Sequence, residues 1–222
     1  MSNTSARESI FARLHSARSA GLPYAPVPEK WEPAPIEDKK ARVARFVELM
    51  TAMRSEVYQV KGDEWVGKLQ EILAERGLKN LVYGPGTEIA KKLESAWKGK
   101  KDVGAELVPW KNDVEEFRDE LFAADAGITT TMGGVAESAA MILWPSPQEP
   151  RLLSLVPPVH FAVVKADRIW TSFAEAIREL DWSAKAPTNA LLISGPSKTA
   201  DIELILQFGV HGPTDLIVFV VE

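Results

Sequence analysis

Two hydrophobic rhythms alternate along this chain: apolar residues spaced three or four apart, and short unbroken apolar runs. Residues 4–18 show the first, with Ile10, Phe11 and Leu14 set among Arg7, Glu8, Arg13 and Arg18, which predicts an amphipathic helix. Gly21 and Pro23 stop it. Five prolines then fall within 21–36 around Trp31, predicting an extended arm that lies on a surface through Tyr24 and Trp31. A second helix fits 37–53, with Val43, Phe46, Val47 and Met50 on one side.

From residue 55 the rhythms alternate regularly. Residues 55–61 read as a strand, 63–76 as a helix and 80–83 as a short buried strand. Gly84-Pro85-Gly86 makes a turn, after which Thr87 caps a helix over 88–98. A strand near 105–108 and a helix at 112–123 continue the series. Strand–helix alternation of this kind predicts an α/β fold, a largely parallel sheet flanked by helices. Beyond Ala126 the texture changes. Residues 127–131 read as a strand, Gly133-Gly134 as a tight loop before 135–138, and 139–144 as apolar on both faces. A turn at 145–150 leads into strand material at 152–156, 159–165 and 169–170. Ser172 caps a helix at 173–180. Residues 189–193 read as a buried strand, 200–207 as a short helix and 215–221 as a terminal strand inside the sheet. The division predicted is an N-terminal helix and proline-rich arm over 1–36, then a single α/β domain over 37–222.

Composition narrows the function. With 222 residues, 45% of them hydrophobic, the chain can bury a sizeable core, and 26% charge against 15 Pro and 14 Gly argues against wholesale disorder. A formal charge of -5 gives no long-range attraction for nucleic acid or anionic lipid. No run approaches a membrane span and no secretory signal opens the chain, so a cytoplasmic protein is the simplest reading. Absence of cysteine removes disulfides, thiolate ligands and thiol nucleophiles. His15, His160 and His211 lie too far apart in sequence to suggest a metal motif, and no metal is expected.

Chemistry gathers in two stretches. In the first, an apolar strand runs into Ser194-Gly195-Pro196-Ser197-Lys198-Thr199 and then a predicted helix, the place in an α/β fold where backbone amides collect beyond the sheet's carboxyl edge. Ser194, Ser197 and Thr199 offer hydroxyls and Lys198 a charge, a setting for phosphate or carboxylate; the GxxxxGK[ST] loop is absent. The alternative is structural, with Thr199 as a cap and Asp201 and Glu203 complementing the helix dipole. In the second stretch, Gly133 and Gly134 permit close approach of a ligand, and Glu137 stands beside Ser138 among small residues. Glu137 can act as a base, orient a hydroxyl, pair with Arg151, or simply face solvent from a turn. His160 and His211 are further candidates for proton transfer, or for buried rings that fix their loops. The seven tryptophans read mainly as core and edge packing.

Four segments carry a resemblance. ADAGIT at 124–129, GGVAESAAMIL at 133–143, PRLLSLVPPVHFAVVKADRI at 150–169 and SGPSKTADIELILQFGVHGPTDLIVFV at 194–220 together resemble the lactate-utilisation protein C family. That resemblance implies a fold similar to glucosamine-6-phosphate deaminase, ribose-5-phosphate isomerase and CoA transferases. It implies work beside two iron–sulfur-type partner proteins in oxidising L-lactate to pyruvate. No cofactor is expected in this chain, since it has no cysteine for a cluster and any cluster belongs to the partners. The family loop AE[ST]GT aligns with Ala136-Glu137-Ser138-Ala139-Ala140, where alanines replace the Gly-Thr pair. Lys198 stands where the family often has arginine, keeping charge without the planar fork. The leading expectation is an accessory or substrate-handling subunit of a lactate-oxidising system. Its anion would be bound by Gly133, Gly134, Ser138, Arg151, His160, Ser194, Gly195, Ser197, Lys198 and Thr199, and its proton handled by Glu137 or His211. The alternatives are a stand-alone enzyme on a sugar phosphate or CoA ester, and a non-catalytic scaffold.

Overall fold

The computed structural model describes residues 6–19, 35–99, 104–111, 115–185, 187–200, 206–208 and 211–222. The predicted proline arm falls largely outside them. Two compact units result, Met1–Pro33 and Ala34–Glu222. In the first, helix α1 (Ala6–Ser19) has the predicted amphipathic spacing but buries none of its residues. The second begins with α2 (Lys39–Ala52), whose N-cap Asp38 accepts from the Lys40 amide.

In chain order there follow β1 (Glu56–Val60), α3 (Glu64–Glu75), β2 (Asn80–Tyr83), α4 (Glu88–Trp97), β3 (Glu106–Pro109), α5 (Arg118–Phe122) and β4 (Ala126–Thr130). Next come β5 (Gly133–Val135), β6 (Ala140–Leu143), a 3-10 turn (Arg151–Ser154), β7 (Val159–Lys165), a second 3-10 turn (Ala166–Arg168) and β8 (Ile169–Trp170). The chain closes with α6 (Phe173–Glu179), α7 (Trp182–Lys185), β9 (Leu191–Ile193), β10 (Lys198–Ala200), β11 (Leu206–Phe208) and β12 (Asp215–Val221).

Six of these strands form a parallel sheet in the order β1-β12-β7-β4-β2-β3. A sheet buried on both faces needs apolar runs rather than alternation, and β7 and β12 supply them. On one face Phe161 stacks on Phe219 at 6.1 Å between ring centres, with Trp65, Leu69 and Leu93 of α3 and α4 closing over them. On the other, Ala162, Val164, Leu216 and Val218 pack against Val43, Phe46 and Met50 of α2. That second face also carries a smaller mixed sheet, β8-β5-β6-β9, through Met141, Leu143 and Ile169.

Four expectations are corrected. Residues 152–156 are not a strand: Pro150 before and Pro157-Pro158 after them leave a 3-10 turn. Gly133 and Gly134 belong to β5 rather than to a loop, and the turn falls at 136–139. The strand predicted as buried at 189–193 is the half-exposed edge β9 of the smaller sheet. No helix starts at 200, because Lys198–Ala200 pairs antiparallel with Leu206–Phe208 and satisfies its backbone there; 201–205 lies outside the described residues.

The two glycines of β5 are explained by packing. A Cβ on Gly133 would lie 2.2 Å from the Arg168 carbonyl and 2.4 Å from the Trp170 ring, and one on Gly134 would lie 2.9 Å from the Phe46 ring. Ala139 has φ 48, the left-handed conformation in which glycine is unstrained. Gly133→Ala is expected to lower stability by about 2–4 kcal/mol, because a backbone carbonyl must move. Urea unfolding checks this, and a variant within 0.5 kcal/mol of wild type, about the scatter of a surface substitution, contradicts it.

Candidate functional site

Because β9 belongs to the smaller sheet, the 194–197 loop does not reach the carboxyl edge of the main one. It turns back to the amino edge, where the Ser197 amide donates to the Pro213 carbonyl at 2.9 Å and the Thr214 amide to Pro158 at 2.9 Å. There it meets the loop before β12 and the start of β7. A cavity of about 300 Å³ opens between them, walled by Ser194, Gly195, Ser197, His160, His211 and Ser154. Five sequence-predicted residues therefore share one cavity.

His160 is its buried wall. The ring is 1% exposed, and its Nε2 is hydrogen-bonded to the Thr129 hydroxyl at 2.9 Å. Burial pushes its pKa down to about 4, so the imidazole is neutral at physiological pH. A neutral ring carries one donor and one acceptor nitrogen, and Thr129 engages one of them. His211, by contrast, is exposed at the mouth.

A small recess adjoins this cavity and shares Ser154 with it. Arg151, Thr129, Trp144 and Glu149 line the recess. Glu149 was not singled out from the sequence. It is 8% exposed, accepts the Thr130 amide at 3.1 Å, and also takes the Thr130 hydroxyl. Burial raises its carboxyl above the usual range against the pull of those hydrogen bonds. Only its position after the apolar 139–144 run, inside a turn, hinted that it folds back onto the sheet.

The other predicted residues lie elsewhere. Glu137 does not pair with Arg151: its Oε1 accepts the Phe173 amide at 3.1 Å at the start of α6, while Oε2 is buried without a partner. Neither Glu137 nor the glycines of β5 line the amino-edge cavity, and Ser138 is exposed on the turn. Lys198 and Thr199 continue from Ser197 as β10. The helix-start amides expected to help them hold an anion are missing, since a strand stands there instead.

A second cavity, of about 270 Å³, was not anticipated. It lies at the carboxyl edge, beyond the ends of β2, β4, β7 and β12, and its charged wall is Glu88, Lys92, Lys165 and Arg168. From β2 the chain leaves toward β3 and from β4 toward β7, in opposite directions, so the crevice sits at a topological switch point. The available signal was Gly84-Pro85-Gly86-Thr87, a strand leading through a glycine turn into a capped helix. Thr87 accepts from the Ala90 amide, and Gly86 takes φ +79.

With this geometry in place, sequence comparison identifies the fold's relatives. The LUD domain model matches residues 43–221. This chain belongs to the LUD domain family. An uncharacterized protein of Neisseria meningitidis is 33% identical over 98% of the chain and 94% of its own length. A lactate utilization protein C of Shouchella clausii is 28% identical over 83% of the chain and 80% of its own, and lactate utilization protein C 1 of Bacillus mycoides 27% over 93% of each. A crystal structure of a DUF162 family protein from Deinococcus radiodurans superposes with TM-score 0.62 at 21% identity, covering 83% of this chain and 99% of that one. The LUD domain here is thus an α/β fold with a parallel sheet flanked by helices. Among the described residues, no helix is long and apolar enough to cross a membrane, and no group of three or more His, Asp or Glu side chains is placed to hold a metal.

His160 makes stability pH-dependent. Its folded pKa lies below the unfolded value of about 6.5, so the unfolded chain binds the extra proton between those values. Stability is therefore full above about pH 6.5 and falls as pH drops toward about 4, by about 3 kcal/mol in all. Denaturation at several pH values checks this. His160→Asn should flatten the profile in that window, and an unchanged slope in the variant contradicts the assignment.

Proposed function

We propose that this LUD domain is the substrate-handling subunit of a cytoplasmic L-lactate-oxidising system, acting beside two iron–sulfur proteins. The names of its relatives support the pathway. The observation that carries the site is the convergence of Ser194, Ser197 and His211 on one cavity beside the neutral, buried imidazole of His160. A small carboxylate with an α-hydroxyl suits such a wall. Serine hydroxyls and loop amides donate to the carboxylate. His211, exposed at the mouth, exchanges a proton with solvent and takes it from the hydroxyl as lactate is oxidised.

Oxidation of lactate to pyruvate releases two electrons and two protons. Cluster ligation calls for thiolates, and this chain has no cysteine. The two electrons and the Cα proton are therefore assigned to the partners, and this subunit binds and orients the substrate and takes the hydroxyl proton at His211. In that division Arg151 stands at the adjoining recess as a second positive contact. A likeness to glucosamine-6-phosphate deaminase, ribose-5-phosphate isomerase and CoA transferases belongs to the same proposal and motivates the competing reading, a stand-alone enzyme.

Anaerobic L-lactate-dependent dye reduction by the two purified partners, with and without this chain, tests the proposal. Addition should raise the rate. His211→Ala should cut that gain by about 100-fold, the usual size of a lost acid–base group, while complex formation persists. No gain with active, cluster-loaded partners overturns the subunit reading, and turnover by the isolated chain moves it to the stand-alone enzyme.

A further inference from the structure

The carboxyl-edge cavity has no part in the function proposed above. We propose that it is a binding site for a phosphate-bearing small molecule, held by Arg168, Lys165 and Lys92 at the switch point between β2 and β4. Three cations line it against one carboxylate, in a protein whose net charge is -5. Such a local excess against the overall sign is a feature of position, not of composition.

The partners of these cations identify the ligand's place. Lys165 is taken by Glu88 at 2.7 Å, and Lys92 is taken by Asp63. Arg168 forms no ion pair or side-chain hydrogen bond among the described residues. All three cations act on Glu88, and with the Lys165 hydrogen bond foremost they hold its carboxyl below the usual range. Glu88 is thus a resident anion at the focus of three positive charges, and a ligand phosphate competes with it for the same field. The guanidinium of Arg168 offers the planar fork that suits a phosphate oxygen pair. The first turn of α4 adds its positive end, although Thr87 already takes the Ala90 amide. Ile89, Val163 and Val221 make an apolar floor for the ligand's organic part. The hydroxyls of Thr130 and Thr131 take no part, being committed to Glu149 and to the Val163 carbonyl.

Inorganic phosphate is the probe, titrated into the labelled full-length chain at low ionic strength and followed by amide NMR. Saturable shifts are expected at Thr87, Glu88, Ile89 and Arg168. Arg168→Gln and Lys165→Gln should each weaken binding about tenfold, the loss of one charge-assisted contact. Glu88→Gln should tighten it severalfold by removing the competing carboxylate. All three positions are exposed or half-exposed, so these variants are expected to fold. Lys111→Gln, which changes an exposed lysine paired with Glu120 outside the cavity, should leave binding unchanged. Absence of saturable binding overturns the proposal. So does equal weakening by Lys111→Gln, or weaker binding in Glu88→Gln. L-lactate is the second probe: if it binds at these residues as tightly as phosphate does, the site is a general carboxylate site and the phosphate assignment fails.

Discussion

β7 lies between β4 and β12, pairing Ala162 with Thr129 on one side and with Val218 on the other. In a strand with a two-residue repeat that register divides the molecule. Val159, Phe161 and Val163 enter the core under α3 and α4, while His160, Ala162 and Val164 face α2 and the smaller sheet. A slip of one residue would put the imidazole into the stack of Phe161 and Phe219 and leave a phenyl ring against Thr129. The amino-edge cavity therefore depends on the same backbone pairing that holds the sheet together. Its polar wall is tolerable because Thr129, from the neighbouring strand, meets the ring as a partner.

The two ends of the sheet are chemically unlike. At the amino edge the groups are hydroxyls, loop amides and imidazoles, suited to fixing a small polar molecule through directed hydrogen bonds. At the carboxyl edge they are lysines, an arginine and a glutamate, suited to charge. β4 separates them. Thr129 turns to His160 on one face, and Thr130, the next residue, is pinned by Glu149 at the strand's end. The Gly84–Glu149 approach tightens that corner, since a Cβ on Gly84 would lie 2.5 Å from the Glu149 side chain.

Much of this was legible in the sequence where one physical signal dominated. The strands at 80–83, 159–165 and 215–221 are unbroken apolar runs, and they lie where the pattern put them because burial on both faces demands it. Ser172 and Thr87 cap their helices as their spacing predicts. Failures came where strand pairing, rather than the apolar pattern, decides. The helix expected at 200 lost to an antiparallel pairing with 206–208, and β9 joined β6 rather than the main sheet. That one reassignment carried the 194–197 loop to the opposite edge and separated it from Gly133, Gly134 and Glu137. Glu137, prominent as a lone carboxylate among small residues, holds the Phe173 amide at the start of α6. The carboxyl-edge cations escaped notice because Lys92 and Lys165 are brought together only by the strand order.

In the function proposed for this chain, the amino-edge cavity, organised by His160, holds the small carboxylate. Titration of L-lactate into isotope-labelled protein, read through the histidine ring and loop amide resonances, tests it most directly. Saturable shifts are expected at His160, His211, Ser194, Gly195 and Ser197, with Thr87, Lys165 and Arg168 unmoved. Shifts confined to the carboxyl edge, or none that saturate, would contradict it.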